Sequence, residues 1–323
     1  MGTFCINHNR CVSHYKNMQC HTCQQNCPQQ AIANRHIDLS KCNECGLCLA
    51  VCPVHAIETT VSYQQELVAV CAKEIVVLNC QMQDKRSGFP CLGFLDTRIL
   101  WAIAQEHRVV LNLHHCKDCN LAVSQQLHHI VRVCNDVLRQ EGKRLVSGGS
   151  DNECDTVPEQ TAKISRRDFF KQFMKAAVIT AETIVSSNED VVVAYCPEGY
   201  IKQQLDKMDT TQNNTLFYTL TIGQDCNACG LCAKICPQQA LQAKLHHNHY
   251  VLKYDAALCY NCGVCQQNCP RKAIQIAEAD GDRISEHTIP LPLCEQCKQP
   301  FQPIGENTIC LDCYQHRDQI FWA

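Results

Sequence analysis

The sequence predicts an α+β protein in which two cysteine-rich repeats flank a small α/β domain, with a four-cysteine knuckle at the C-terminal end. Three observations carry this prediction. One spacing of cysteines, closed by a proline, recurs near both ends of the 323-residue chain. Between the repeats, two β-branched runs alternate with helical patterns, which indicates strands joined by helices. Beyond residue 290 the chain holds two further C-x2-C pairs.

Composition restricts the class of protein. The chain has 29 cysteines, mostly in CxxC pairs, whereas disulfide scaffolds are usually short secreted chains. It shows no basic start followed by an apolar run, so we expect a reduced, metal-binding, cytoplasmic protein. A net charge of −3 gives no reason to expect nucleic acid as a partner. The apolar runs are shorter than the roughly 18 residues that a membrane span needs.

The first predicted domain, residues 1–62, contains one complete C-x2-C-x2-C-x3-C-P motif. Three thiolates at this spacing surround one iron–sulfur cube, and the fourth, before the proline, reaches a second cube. The motif consists of Cys42, Cys45, Cys48 and Cys52. Ala31-Ile32 and Ala56-Ile57 follow the two halves as the starts of short strands, and residues 37–39 are predicted to pair back.

The preceding half of this domain is incomplete. It has Cys20, Cys23 and Cys27, but Asn17 stands where its first cysteine is expected. We predict that Cys11 supplies the missing thiolate from a longer loop, with Cys5 as the second choice. The alternative is a degenerate three-iron or empty site beside one complete cube.

The second predicted domain, residues 65–147, has a different composition. Residues 74–79 (EIVVLN) and 108–113 (RVVLNL) are predicted strands, and 96–106 is a helix that starts at Asp96 or Thr97. A longer helix is expected over 120–141, ended by Gly142. This order predicts a small α/β domain with parallel pairing.

Four cysteines of this domain come shortly after its strands, where the carboxyl ends of parallel strands form a crevice. They are Cys80, Cys91, Cys116 and Cys119. We expect them to hold a third kind of metal centre, either an iron–sulfur cluster (2Fe-2S or 4Fe-4S) or zinc, and the remaining alternative is free thiols. His114 and His115 flank this site as ligands, proton donors or merely local hydrogen-bonding groups.

A polar, glycine-containing stretch, residues 148–163, is the predicted linker to a connecting segment over 164–214. The segment contains Ser165-Arg166-Arg167-Asp168-Phe169-Phe170-Lys171, which is similar to a twin-arginine export signal. Such signals begin a chain, so we interpret this one as a helix start capped by Ser165 and Asp168. Residues 191–195 are a further predicted strand.

The fifth predicted domain, residues 215–285, carries the motif twice, and both halves are complete. Their cysteines are Cys226, Cys229, Cys232 and Cys236, then Cys259, Cys262, Cys265 and Cys269. Gly230 and Gly263 permit close approach of the backbone to inorganic sulfide. The histidines between the halves, His246, His247 and His249, are expected in an exposed loop.

The C-terminal segment, residues 290–323, holds Cys294, Cys297, Cys310 and Cys313 as C-x2-C-x12-C-x2-C. Two such knuckles suit tetrahedral zinc, or a single iron as in rubredoxin. The five other cysteines are expected to be structural; they are Cys5, Cys71, Cys134, Cys154 and Cys196.

These motifs resemble bacterial-type ferredoxins that carry two 4Fe–4S clusters. The resemblance implies four cubes, with the cysteine before each proline ligating the cube of the other half. The implied sets are Cys226, Cys229, Cys232 and Cys269; Cys259, Cys262, Cys265 and Cys236; Cys42, Cys45, Cys48 and Cys27; and Cys11, Cys20, Cys23 and Cys52. The middle domain is similar to thioredoxin-like two-iron ferredoxins and to the small iron–sulfur subunit of methanogen-type hydrogenase complexes.

The predicted function is electron transfer without an active site of its own, because no nucleotide-binding motif or nucleophile–base constellation is present. The expected partners are redox proteins of an anaerobe, such as a hydrogenase or a formate dehydrogenase. Two alternatives remain: a thiol, disulfide or sulfur-compound reductase acting at the middle cysteines, and an assembly or regulatory protein with structural clusters.

Overall fold

The computed structural model describes residues 3–16, 18–149, 193–194, 201, 206–207, 215–246, 248–278, 283–304 and 307–316. The chain divides into two compact units, Met1–Cys11 with Cys20–Met208, and Val12–Gln19 with Asp209–Ala323. None of the helices in the described ranges is both long and apolar enough to cross a bilayer.

The N-terminal part of the first unit consists of short strands and one-turn helices around the cysteine loops. In chain order these are β1 (Phe4–Ile6), α1 (Thr22–Gln25), β2 (Ile32–Ala33), β3 (His36–Ile37), α2 (Leu47–Val51) and β4 (Ile57–Thr59). A single 3-10 turn, Val12–His14, follows β1 in the chain and groups with the second unit. β2 pairs antiparallel with β3, and β4 lies between β1 and β8 (Val193–Ala194). The strands predicted at Ile32 and Ile57 are therefore confirmed, and the strand predicted over 191–195 is confirmed for the two residues of it that the structure describes, Val193 and Ala194.

The next part of the first unit consists of a parallel three-stranded sheet and its helices. Its elements are α3 (Tyr63–Val70), β5 (Ile75–Leu78), α4 (Thr97–Ala104), β6 (Arg108–Asn112), α5 (Cys116–Cys119), α6 (Leu121–Gln140) and β7 (Ser147–Gly149). The strand order is β5-β6-β7, with both pairings parallel. The predicted strand–helix–strand–helix order is confirmed, and the core holds Trp101, Leu111 and Leu127, each 0% exposed.

The helix ends follow local chemistry. Asp96 caps α4 by accepting the backbone N–H of Ile99 at 2.9 Å, and Asn120 caps α6 by accepting that of Val123 at 3.3 Å. Gly142 ends α6 with φ 64. The predicted linker starts too early in the chain, because Gly148 and Gly149 pair with β6 instead. A small residue suits position 148, because Gly148 lies beside the side chains of Leu113 and Val131.

The second unit contains two small sheets. Its elements are β9 (Tyr218–Ile222), α7 (Leu231–Ile235), β10 (Leu241–Leu245), β11 (His249–Asp255), a 3-10 turn (Ala256–Leu258), α8 (Val264–Gln267), β12 (Ile274–Glu278), β13 (Ile284–Pro290) and α9 (Leu311–Gln315). β9 pairs with β12, and β11 lies between β10 and β13, all antiparallel. The sheet thus continues to Pro290, past the boundary predicted at 285.

Several predictions fall wholly or partly on residues outside the described ranges. The motif at 165–171 lies there entirely, as do Cys154, Cys196 and His247. His246 and His249 are placed on either side of the β10–β11 turn, where their rings stack at 4.8 Å.

Candidate metal centres

The cysteine loops share one backbone conformation that glycine makes possible. Gly46, Gly230 and Gly263 each follow the second cysteine of a motif and have φ values of 78, 72 and 76. A side chain in this left-handed region is strained, which glycine avoids. Each glycine precedes a one-turn helix that carries the third cysteine. In the incomplete half His21 takes this place with φ −122, so that loop is built differently.

The cysteines that precede proline share a second feature. The residue three positions after each of them has positive φ; these residues are Gln30, His55, Gln239 and Lys272. The turn brings the next N–H back to the sulfur in three cases. Ala31, Ala56 and Ala273 donate to the Sγ atoms of Cys27, Cys52 and Cys269 at 3.3, 3.2 and 3.4 Å. These N–H groups orient the sulfur and stabilise a thiolate.

In the second unit, the first cysteine group lines a small cavity of about 20 Å³. Its members are Cys226, Cys229, Cys232 and Cys269, and Tyr250 and Leu252 complete part of the wall. Burial, and then the charges of the three other thiolates, raise the pKa of Cys232 to about 12. Four sulfurs around one apolar cavity match what a cluster requires.

The second group of this unit is Cys236, Cys259, Cys262 and Cys265. Burial, followed by the charges of Cys236 and Cys259, raises the pKa of Cys262 to about 11. The pKa of Cys265 is raised by burial, by its own group and also by Cys232 of the first group. The structure thus brings each cysteine before a proline to the opposite half, and brings the two groups side by side.

Two groups of the same kind form in the first unit. Burial and the charges of Cys52, Cys20 and Cys11 raise the pKa of Cys23 to about 11. Cys11, not Cys5, joins this group, because Cys5 lies in β1 with its Sγ 3.9 Å from Glu58 Oε2.

The neighbouring group consists of Cys27, Cys42, Cys45 and Cys48. The pKa of Cys48 is raised well above its usual value by burial and then by Cys45, Cys42, Cys23 and Cys27. Because Cys23 belongs to the first group, the two groups of this unit are neighbours. Asn17 lies outside the described residues.

The middle cysteines also converge. Burial and the charges of Cys80, Cys91 and Cys119 raise the pKa of Cys116 to about 11. Cys80 follows β5, and α5 carries Cys116 and Cys119 at its two ends. Cys119 is exposed while Cys80 and Cys116 are buried, so one edge of the group faces solvent. His114 and His115 beside it are exposed.

The C-terminal group is built on a smaller scale. The Sγ atoms of Cys294, Cys297, Cys310 and Cys313 all lie within 4.8 Å of one another, the one such group of potential ligands in the described part of the chain. Cys297 and Cys310 are 3.8 Å apart, which is about the separation of two sulfurs bound tetrahedrally to zinc. The spacing of the C-terminal group fits a single ion.

Backbone N–H groups support the sulfurs of this C-terminal group. Cys310 donates to the Sγ of Cys294 at 3.3 Å, and Cys313 donates to the Sγ of Cys310 at 3.5 Å. The N–H of Cys297 and other backbone groups lower the pKa of the buried Cys294 to about 6. Lys298 has φ 60 directly after Cys297, the conformation that lets the first knuckle turn.

Three residues next to these groups have no signal in the sequence. Tyr63 is 1% exposed and near Cys91, and Tyr250 lines the first cavity of the second unit. Gln302, between the two C-terminal knuckles, donates from Nε2 to the carbonyl of Ala228 at 3.2 Å. They become visible only when distant segments are packed together. No disulfide joins any of the cysteines in the described ranges.

Comparison with known families gives two matches. Residues 225–273 match the model of the 4Fe-4S dicluster domain, and residues 18–64 match that of the LdpA Fe-S cluster-binding domain. A search among curated proteins found no match. The two family matches lie on the two segments that the motifs select. The chain is therefore a ferredoxin-like, metal-binding iron–sulfur protein.

Proposed function

We propose that this chain is an electron carrier that passes low-potential electrons between redox enzymes through four [4Fe-4S] clusters. The observation that carries the proposal is the exchange of cysteines within each unit. Cys269 and Cys236 each group with the opposite half, and Cys232 contributes to the electrostatic field at Cys265. Paired sites with shared segments favour transfer between neighbours. When bound, each cluster supplies one-electron chemistry at a potential set by its surroundings.

The protein's own residues set those surroundings. Sixteen cysteine thiolates hold the iron of the four proposed cubes, and the N–H groups of Ala31, Ala56 and Ala273 compensate the charge on three of the crossing sulfurs. Ala228 and Val264, 1% and 0% exposed, exclude water from the cluster loops of the second unit. Hydrogen bonds to sulfur and exclusion of solvent are two of the means by which a protein adjusts a cluster's potential.

The same proposal assigns the remaining groups. The middle site, Cys80, Cys91, Cys116 and Cys119, takes a fifth iron–sulfur cluster, and the C-terminal group takes structural zinc, with single iron as the alternative. The partners are redox proteins, for example a hydrogenase or a formate dehydrogenase, and the chain has no substrate site of its own. The proposed domains keep the bounds predicted from the sequence, with one change. The domain that starts at residue 215 extends beyond 285 to Pro290, because β13 belongs to the sheet of β10 and β11.

Metal analysis and EPR of anaerobically purified protein test this proposal. Four cubes require about sixteen irons per chain, plus two or four for the middle site, and one zinc. The cubes should be reduced reversibly by a low-potential donor such as dithionite. Fewer than about a dozen irons, or clusters that resist reversible reduction, would contradict the function.

A second candidate function is reduction of a disulfide or sulfur compound at the middle site. The exposure of Cys119 beside the buried Cys80 and Cys116 favours it, because a substrate could reach that sulfur or the metal behind it. Assaying the dithionite-reduced protein with small disulfides and polysulfide distinguishes the two functions. Turnover that disappears in Cys119→Ala would support the reductase, and absence of turnover leaves the carrier as the function.

A further inference from the structure

Two loops of the first unit pack so closely that no side chain fits at Gly93 of one loop or at Gly46 of the other. A Cβ atom at Gly93 would lie 2.3 Å from the carbonyl oxygen of Cys45, and one at Gly46 would lie 2.9 Å from the backbone nitrogen of Phe94. Both obstructions are backbone atoms, which cannot rotate away. The loop after Cys91 therefore lies directly on the loop that carries Cys45.

An aromatic layer fills the space beside this contact. The ring of Tyr63 lies 4.4 Å from that of Phe94, which is itself 5.1 Å from that of Phe89. Tyr63 and Phe94 are 1% and 0% exposed. Burial, and then the charges of Cys91, Cys48 and Cys45, raise the pKa of the Tyr63 phenol well above its usual value. This ring thus stands next to sulfurs of both cysteine groups.

The Gly93 contact also brings the two cysteine groups together. Gly93 lies two residues after Cys91, and it packs against the carbonyl group of Cys45 itself. Cys45 belongs to the group with Cys27 and Cys42, whereas Cys91 belongs to the middle group. The buried rings of Tyr63 and Phe94 lie beside this contact.

We propose that Gly46, Gly93 and Tyr63 are positioning residues that hold the middle cysteine group against the Cys45 loop, so that one electron passes directly between the two centres. The inference rests on the proposed function and adds the order in which two of the centres pass the electron. In the step, one centre is oxidised by one electron and its neighbour is reduced by one; no bond forms or breaks, and a low-potential external donor replaces the electron. The solvent-facing Cys119 then makes the middle group the terminus at which the electron leaves or enters.

The test compares full-length, anaerobically loaded wild type with Gly93→Ala by EPR of the reduced state. Two paramagnetic centres in contact relax each other, so the signal of the middle centre in the wild type should saturate only at high microwave power. In Gly93→Ala the loops must separate, and we expect the power at half-saturation to fall several-fold. Gly148→Ala is the matched control, since the nearest atom to its new Cβ would be 3.6 Å away, and it should behave like the wild type.

A second variant keeps the inference testable should Gly93→Ala fail to load iron. Cys119→Ala removes one thiolate of the middle group, so its iron content should fall and the remaining cube signals should lose part of their broadening. Cys71→Ala, outside every group, should change neither the iron content nor the cube signals.

Iron loss with unchanged cube signals would overturn the inference while leaving the carrier function intact. Unchanged iron in Cys119→Ala would remove the fifth centre and the inference together, and cubes that cannot be reduced would remove the proposed function.

Discussion

At the scale of single residues, the cluster loops depend on backbone conformations that most side chains resist. Gln30, His55, Gln239 and Lys272 occupy the left-handed region although none is glycine, at a cost of roughly 1–2 kcal/mol each. The conformation recurs at one position in all four half-motifs. The return of an N–H group to the cysteine sulfur, seen in three of them, is the compensating interaction.

Gly230 gives a prediction at this scale. Its φ is 72, and a Cβ there would meet Tyr250 Oη at 2.5 Å and Gln302 Nε2 at 2.8 Å. We expect Gly230→Ala to lose the cube of its loop, about four irons per chain, measured by metal analysis. Gly142→Ala is the control, because its φ is 64 but no atom lies within 4 Å of the new Cβ. It should cost about 1 kcal/mol in stability with full iron, and equal iron in both variants would refute the steric explanation.

At the scale of elements, α4 is capped by a side chain, and the C-terminal hairpin contacts a distant cysteine loop. The helix α4 is buried from Arg98 to Ala104 and depends on the carboxylate of Asp96 at its start. A loop of the C-terminal hairpin reaches back to the cluster loop of α7 through Gln302.

Asp96 makes stability depend on pH. Burial raises its pKa, opposed by the N–H of Ile99 and by His55 and Arg98. A carboxyl whose pKa is higher when folded than when unfolded contributes stability below its unfolded pKa and loses it as pH rises through the folded value. Asp96→Asn keeps a capping oxygen and should remove this loss of stability between acidic and neutral pH, measured by thermal unfolding of anaerobic protein.

Asp96→Ala is the companion variant, because it removes the charge and the cap together. We expect it to lower stability by about 1 kcal/mol relative to Asp96→Asn at all pH values. If Asp96→Asn retained the wild-type pH dependence, other groups would be responsible for it.

The C-terminal hairpin gives a second prediction for elements. Gln302→Ala removes the hydrogen bond to Ala228 and opens the loop around Cys229, so the nearby cube should be lost several-fold faster to a chelator, followed by visible absorbance. Gln296→Ala, at an exposed position of the same hairpin, is the matched control. If the metal of the hairpin positions Gln302, then Cys297→Ser should cause the same acceleration, and the double variant should add nothing further. Additive effects would show that the two act separately.

At the scale of the whole molecule, each of the two units contains a pair of cysteine groups whose members cross between half-motifs. Because of this crossing, neither cysteine group is complete without a cysteine from the other half-motif. It also places neighbouring sites within one compact unit. The arrangement accounts for the repetition of the motif in pairs.

Paired substitutions test the crossing by iron content. Cys226→Ala with Cys269→Ala should disable one cube, a loss of about four irons, because both cysteines belong to one group. Cys226→Ala with Cys236→Ala should disable two cubes, a loss of about eight, although these two cysteines lie in the same half-motif. The reverse order of iron losses would show that each half-motif binds its own cluster.

The sequence by itself determined the parts of the structure that depend on neighbours along the chain. The three-cysteine loops follow from spacing and from Gly46, Gly230 and Gly263, and the starts of α4 and α6 follow from capping residues. The alternation of elements was sufficient to predict the parallel pairing of β5 with β6. These features could be predicted because each depends on a few residues close in the chain.

Only the tertiary structure decided which distant segments meet. It selected Cys11 over Cys5, used Gly148 and Gly149 as a third strand where a linker was expected, and placed Cys91 against the Cys45 loop. It also brought Gln302 to Ala228 across 74 residues of chain. Such contacts depend on how whole elements pack, and packing is a property of shapes that no local spacing of residues specifies.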